Sequence, residues 1–199
     1  MPDRRNPYAR PDRFTRAAKE AGFPARSVFK LEDIDRRARL LRTGMTVLDL
    51  GSAPGSWTMY AAARIGQSGK LLAVDLEPMR IALPPNSRFV QGDALSLANE
   101  DLARFAPYDV VLSDMAPNTT GNRVTDQTRS YELFLRALAV AAKVGKIGGS
   151  FVGKIFMSDD LPAARTEVRR VYESERLIRP EGTRAGSMEI FVLGSGKSS

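Results

Sequence analysis

The chain has no cysteine and no histidine among its 199 residues. Without cysteine there is no disulfide, no thiolate nucleophile, no iron–sulfur cluster and no Cys-based zinc site. Without histidine, Ser-His-Asp chemistry, imidazole proton transfer and His-ligated metals are excluded. Acid–base chemistry is left to Asp, Glu, Lys or Tyr. No apolar stretch approaches the roughly 20 residues of a membrane-spanning helix. The first ten residues, MPDRRNPYAR, are basic with no apolar segment behind them, unlike a signal peptide. The cytoplasm is the expected location, with no membrane partner.

What is present suits one globular domain: 43% of residues are hydrophobic and 27% charged. The net charge of +7 is unevenly placed. Residues 1–42 hold ten Arg and two Lys against six acids, a net of +6. Such an excess at one end favours a polyanionic partner over a merely solvated tail. Arg4, Arg5, Arg10, Arg13, Arg16 and Arg26 are the candidate phosphate contacts, with Lys30 at the edge of the site. Residues 1–25 read as a flexible basic arm with a short helix near 14–22. A folded domain is expected over 26–194 and a disordered tail over 195–199.

Apolar positions 28, 31, 34, 38 and 41 step by three or four, predicting a helix with Ser27 as its N-cap. Strands are expected at 45–50, 70–75, 87–93, 108–114, 149–156, 174–179 and 187–193. Helices are expected at 57–65, 97–105, 126–145 and 160–173. The alternation implies a parallel sheet with helices on both faces, whose ligands bind beyond the C-terminal strand ends.

The first strand ends in Asp49-Leu50-Gly51-Ser52-Ala53-Pro54-Gly55-Ser56-Trp57. The spacing is neither GxGxxG nor GK[ST], so a dinucleotide or NTP cradle is not supported. Alone, this turn is simply a tight βα connection. Asp75 ends the second strand, 24 residues after Gly51, and suits a pair of ribose hydroxyls. Asp93 ends the third strand and Asp114 the fourth. Each alone reads as a cap or turn residue. Three acids after a glycine turn describe a pocket for an adenosine without phosphate. They would repel a phosphate and favour a sulfonium, so S-adenosylmethionine is the expected cofactor.

DLGSAPGSW, VLSDMAPN, FVGKIF and SMEIF together resemble the FtsJ/RrmJ family of ribose 2′-O-methyltransferases, over about 26–193. The resemblance implies a Rossmann-like α/β methyltransferase fold with seven strands, mostly parallel, the last antiparallel. It implies methylation of a uridine ribose in 23S rRNA of the large ribosomal subunit. A Lys-Asp-Lys-Glu tetrad would fall on Lys30, Asp114, Lys154 and Glu189. Cofactor residues would be Gly51, Gly55, Trp57, Asp75, Asp93 and Asp114. Gly153 departs from the β-branched residue of the family, with looser local packing expected.

The chemistry is consistent with those residues. With no histidine, a lysine of lowered pKa is a reasonable base, and burial beside Lys30 and a sulfonium would lower Lys154. Asp114 would orient it, while Lys30 and Glu189 would hold the ribose. The blander alternatives are a surface lysine at position 30 and core packing for Trp57. Cytosine C5 transfer needs a cysteine, and adenine N6 transfer needs an Asn/Asp-Pro-Pro-aromatic loop; neither is present. The remaining alternatives are a tRNA substrate and a non-catalytic RNA-binding assembly factor. No metal is required, and a monomer is expected.

Overall fold

The computed structural model describes residues 12–94, 99–184 and 186–199. The elements in order are α1 (Arg13–Glu20), α2 (Val28–Ala38), β1 (Thr46–Leu50), α3 (Ser56–Ile65), β2 (Lys70–Asp75), β3 (Ser87–Gln91) and α4 (Asn99–Leu102). There follow β4 (Tyr108–Ser113), α5 (Arg123–Val144), β5 (Gly145–Phe156), α6 (Leu161–Val171), β6 (Tyr172–Ile178) and β7 (Glu189–Lys197). Seven strands form one sheet in the order β3-β2-β1-β4-β5-β7-β6. Only β7 runs against its neighbours, pairing antiparallel with β5 and β6.

Strands covered on both faces read as continuous apolar runs, and β1, β2 and β4 do so. Side-chain alternation then divides them between two cores. Leu48 and Leu50 join Phe134, Phe151 and Tyr172 beneath α5 and α6. Val47 joins Leu31, Ile34, Trp57 and Phe191 beneath α2 and α3. Each fully buried Leu or Phe contributes about 1.5–3 kcal/mol.

The element ends differ from the sequence expectation where side chains intervene. Ser27 precedes α2 but makes no side-chain cap; its carbonyl instead accepts the Trp57 indole N–H at 2.9 Å. α5 starts at Arg123, not 126, because Asn122 caps it through the Thr125 N–H. α4 is a single turn within the expected 97–105, of which 97 and 98 lie outside the described residues. β7 runs to Lys197, into the expected disordered tail, because Ser195 and Lys197 pair with β6. The looser packing expected at Gly153 is overturned. A Cβ there would lie 2.5 Å from Phe151 Cζ and 2.8 Å from Phe134 Cε2. Two aromatic rings fill the space a β-branched side chain would take.

Two buried carboxylates tie the scaffold. Asp35 on α2 accepts the Leu41 N–H at 2.8 Å, the Tyr60 hydroxyl at 2.9 Å and Arg64 Nε at 3.0 Å. It thereby fixes α2 to α3. Asp35→Ala is expected to lower the unfolding free energy by about 3 kcal/mol, because it orphans these donors. Asp35→Asn should cost less; urea unfolding of both variants checks this.

Asp49 on β1 is fully buried, with Oδ2 accepting from Thr58 Oγ1 at 2.7 Å and Oδ1 without a partner. Burial pushes its pKa up to about 7; the Thr58 hydroxyl opposes, while Asp114 and Asp75 add to the rise. The native state therefore holds a proton that the unfolded chain has released between about pH 4 and 7. Stability should fall as pH rises through that window. Asp49→Asn should flatten the fall, read as a smaller difference in urea midpoint between pH 5 and pH 8 than in the parent chain.

Candidate active site

The site lies beyond the C-terminal ends of the parallel strands. Gly51 turns the chain out of β1 at φ +74°, and any Cβ would lie 2.7 Å from Met115 Cγ and 2.9 Å from its backbone nitrogen. Glycine is therefore required both by the left-handed backbone and by the close approach of the loop after β4. A cleft of about 250 Å³ opens beside this turn. Gly51, Asp75, Asp93 and Asp114 line it, with Leu76 and Met115 as apolar walls. Asp75 is oriented by two backbone donors, Ala53 N–H and Glu77 N–H, each at 2.8 Å. The carboxylates make the cleft hostile to phosphate and receptive to a cation.

Gly55 and Trp57 stand outside this lining. Gly55 precedes α3 at φ +117°, close beneath Met79 and Ile81. Having no side chain, it leaves the first-turn N–H groups of α3 uncapped, an arrangement that suits a carboxylate ligand. The Trp57 side chain is a core group, 2% exposed, packed against Phe191 and bonded to Ser27. It anchors α2, and through α2 it anchors Lys30.

Four charged residues expected to act together do meet. Lys154, near the end of β5, places Nζ 2.5 Å from the Asp114 carbonyl oxygen and 2.9 Å from Asp114 Oδ1. The Oδ1 contact is an ion pair whose angle falls short of a hydrogen bond, leaving that buried oxygen otherwise unbonded. Glu189, at the start of β7, reaches Lys154 with Oε1 at 4.0 Å and Lys30 with Oε2 at 2.7 Å. The antiparallel register explains the meeting: Glu189 pairs with Phe156, two residues beyond Lys154. Burial alone would raise the Glu189 carboxyl, but Lys30, Lys154 and the Ser187 hydroxyl outweigh it and hold it below the ordinary value. Lys30 and Lys154 share Glu189 as a common partner. Glu189 stands between the two ammoniums.

Sequence reasoning missed the residues that seat Lys30. The β6–β7 loop lies against α2, with Glu181 N–H donating to Asp33 Oδ2 at 3.2 Å. Arg26 Nη2 donates to the Gly182 carbonyl at 2.5 Å. A Cβ on Gly182 would lie 3.3 Å from the Lys30 backbone nitrogen. Arg26 is thus mostly buried and paired, not a free surface cation. Arg13 and Arg16 are exposed on α1, the former over the Phe14 ring. Arg4, Arg5 and Arg10 lie outside the described residues. Among the described residues, no helix is long and apolar enough to cross a membrane.

Comparison with known proteins agrees with this geometry. The family model of FtsJ-like methyltransferases matches residues 23–197. Ribosomal RNA large subunit methyltransferase E of Sorangium cellulosum (strain So ce56) is 67% identical over 190 residues, covering 96% of this chain and 90% of the relative. The enzyme of that name from Desulfatibacillum aliphaticivorans is 48% identical, covering 94% and 90%. A solved structure described as a ribosomal RNA methyltransferase from Plasmodium falciparum superposes with a TM-score of 0.78 at 22% identity, covering 88% of this chain and 98% of that one. At that identity the last likeness speaks for the fold alone. By its family match and its relatives, the chain belongs to the FtsJ-like methyltransferase family.

Proposed function

We propose that the chain is an S-adenosylmethionine-dependent 2′-O-methyltransferase acting on a uridine ribose of 23S rRNA in the large ribosomal subunit. The observation that carries this reading is the contact of Lys154 with Asp114 at the cleft edge, backed by Glu189 and Lys30. The relatives' names, ribosomal RNA large subunit methyltransferase E, support the rRNA substrate.

The cleft suits the cofactor. Asp75 would accept from the ribose hydroxyls of its adenosine, Asp93 from the adenine amino group, and the uncapped first turn of α3 would meet its carboxylate. When bound, S-adenosylmethionine supplies a methyl group activated by the sulfonium. The protein's task is then to make the ribose 2′-oxygen nucleophilic and hold it in line. Lys154 is the group placed to take the 2′-hydroxyl proton. The Asp114 carbonyl and carboxylate hold Nζ in place. Lys30 donates to the ribose, and Glu189 keeps both lysines charge-balanced and oriented. Positioning is the larger part of this task, since well-aligned groups can remove about 7–11 kcal/mol from a barrier. The basic N-terminal segment supplies affinity for phosphates without sequence choice.

The test is methyl transfer from labelled cofactor to large subunits lacking 2′-O-methylation, to naked rRNA and to unmodified tRNA. Lys154→Ala is run alongside. The expected product is 2′-O-methyluridine in the rRNA of the subunit, with the rate in the variant reduced at least about 100-fold and RNA affinity kept. Label confined to tRNA would move the substrate. Unchanged transfer by Lys154→Ala would remove the proposed base.

A further inference from the structure

The positive charge of residues 1–42 does not all gather at the catalytic end. Arg36 and Arg37 are taken up within α2, where both pair with Asp33. Arg39 and Arg42 follow α2, are exposed, and make no side-chain hydrogen bond or ion pair among the described residues. Both line an open cleft of about 450 Å³ at the N-terminal ends of β1, β4 and β5, opposite the catalytic end of the sheet. Asp109 is the one acid in that lining, and it is already answered. Its Oδ1 pairs with Lys146 Nζ at 2.8 Å, and its Oδ2 accepts the Thr46 N–H at 2.9 Å. Two positive charges therefore face the cleft with no anion to match them.

Arg39 also has an unusual backbone. It ends α2 in the left-handed conformation, at φ 51°, and is the one non-glycine residue with positive φ among the described residues. Glycine takes this conformation at a helix end without the clash of a Cβ. An arginine in its place accepts strain and gains a long cationic side chain at the mouth of the cleft. Strain retained at an exposed position of this kind points to use of the side chain. On the facing wall the chain turns at Gly148, φ +77°, where an added Cβ would meet nothing within 4 Å. The space between the two walls is open to a large partner.

We propose that Arg39 and Arg42 form a second contact for rRNA phosphates, at the end of the domain opposite the methyl-transfer site. The proposal rests on the RNA-methyltransferase reading above. A phosphodiester carries a full negative charge and two non-bridging oxygens, the partner for which a guanidinium is best suited. Ser150 in the cleft and Lys154 at the site are four residues apart on β5, so about 13 Å of strand separates them. A folded rRNA that places one ribose at Lys154 can pass around the domain and reach the cleft. Contacts to phosphate fix the placement of RNA without reading its sequence. The cleft thus adds affinity and orientation, and leaves the chemical step to the other end of the sheet.

The experiment measures binding of the full chain to in-vitro transcribed 23S rRNA by filter retention across a salt series, with methyl transfer to large subunits alongside. Arg39→Gly removes one charge while relieving the left-handed backbone, so its Tm should match or exceed that of the parent. Arg42→Ala removes the other charge. Each should weaken rRNA binding by about three- to ten-fold and reduce the slope of log K against log salt by about 0.7–0.9, one phosphate contact. KM for subunits should rise with kcat unchanged. Arg88→Ala removes the same charge from the far edge strand β3 and should leave binding unaltered. Unchanged affinity and salt slope in the double variant, or an equal loss in Arg88→Ala, overturns the second contact. A raised KM for subunits with unchanged affinity for 23S rRNA also overturns it and assigns the cleft to a ribosomal protein. A parent chain that binds rRNA but transfers no methyl overturns the enzymatic reading instead, while the affinity changes still decide the contact.

Discussion

The site depends on one carboxylate held between two ammoniums. Lys30 and Lys154 arise far apart in sequence, on α2 and β5, and both are buried. Taking one such charge out of water costs several kcal/mol, and two together would repel. Glu189 meets both, at 2.7 and 4.0 Å, and Asp114 meets Lys154 from the other side. Two cations and two anions thus share one pocket edge, and each charge is tolerated because of the others. The antiparallel β7 makes this possible by bringing Glu189 back to the end of β5.

Much of the remaining scaffold serves to place Lys30. It is carried by a helix outside the sheet and needs to be fastened to it. The Trp57 indole bonds to Ser27, Asp35 ties α2 to Tyr60 and Arg64, and Asp33 receives the Glu181 N–H. These ties come from α3 and from the β6–β7 loop. By contrast, Asp114 and Lys154 lie at neighbouring strand ends and need little besides register, since Ser113 pairs with Gly153. A ligand cleft on one side and a charged cluster on the other then share Asp114 as their common wall.

The order of elements was legible in the sequence because buried parallel strands and amphipathic helices write distinct periods. Asp75, Asp93 and Asp114 were legible for a related reason: each closes a strand, and strand ends are where ligands bind. Lys30 and Glu189 were legible only through the family motifs; a helix flank and a late strand say nothing about meeting. Four things were hidden. The carboxylate between the lysines depends on strand register. The role of Trp57 as an anchor depends on a carbonyl 30 residues away. The filling of Gly153 depends on Phe134 from another element. The pairing of Arg26 with the Gly182 carbonyl depends on a loop more than 150 residues downstream in the chain. Each is a long-range contact with no local period to betray it.

The most direct test of the charge arrangement is single-turnover methyl transfer to rRNA by the parent chain and by Glu189→Gln, with cofactor affinity measured alongside. If Glu189 holds Lys30 and Lys154 at the ribose, Glu189→Gln lowers the maximal rate by roughly 10- to 100-fold. Cofactor affinity stays unchanged, because Asp75, Asp93 and Asp114 line the cleft and Glu189 does not. A maximal rate in Glu189→Gln within about two-fold of the parent would contradict the account.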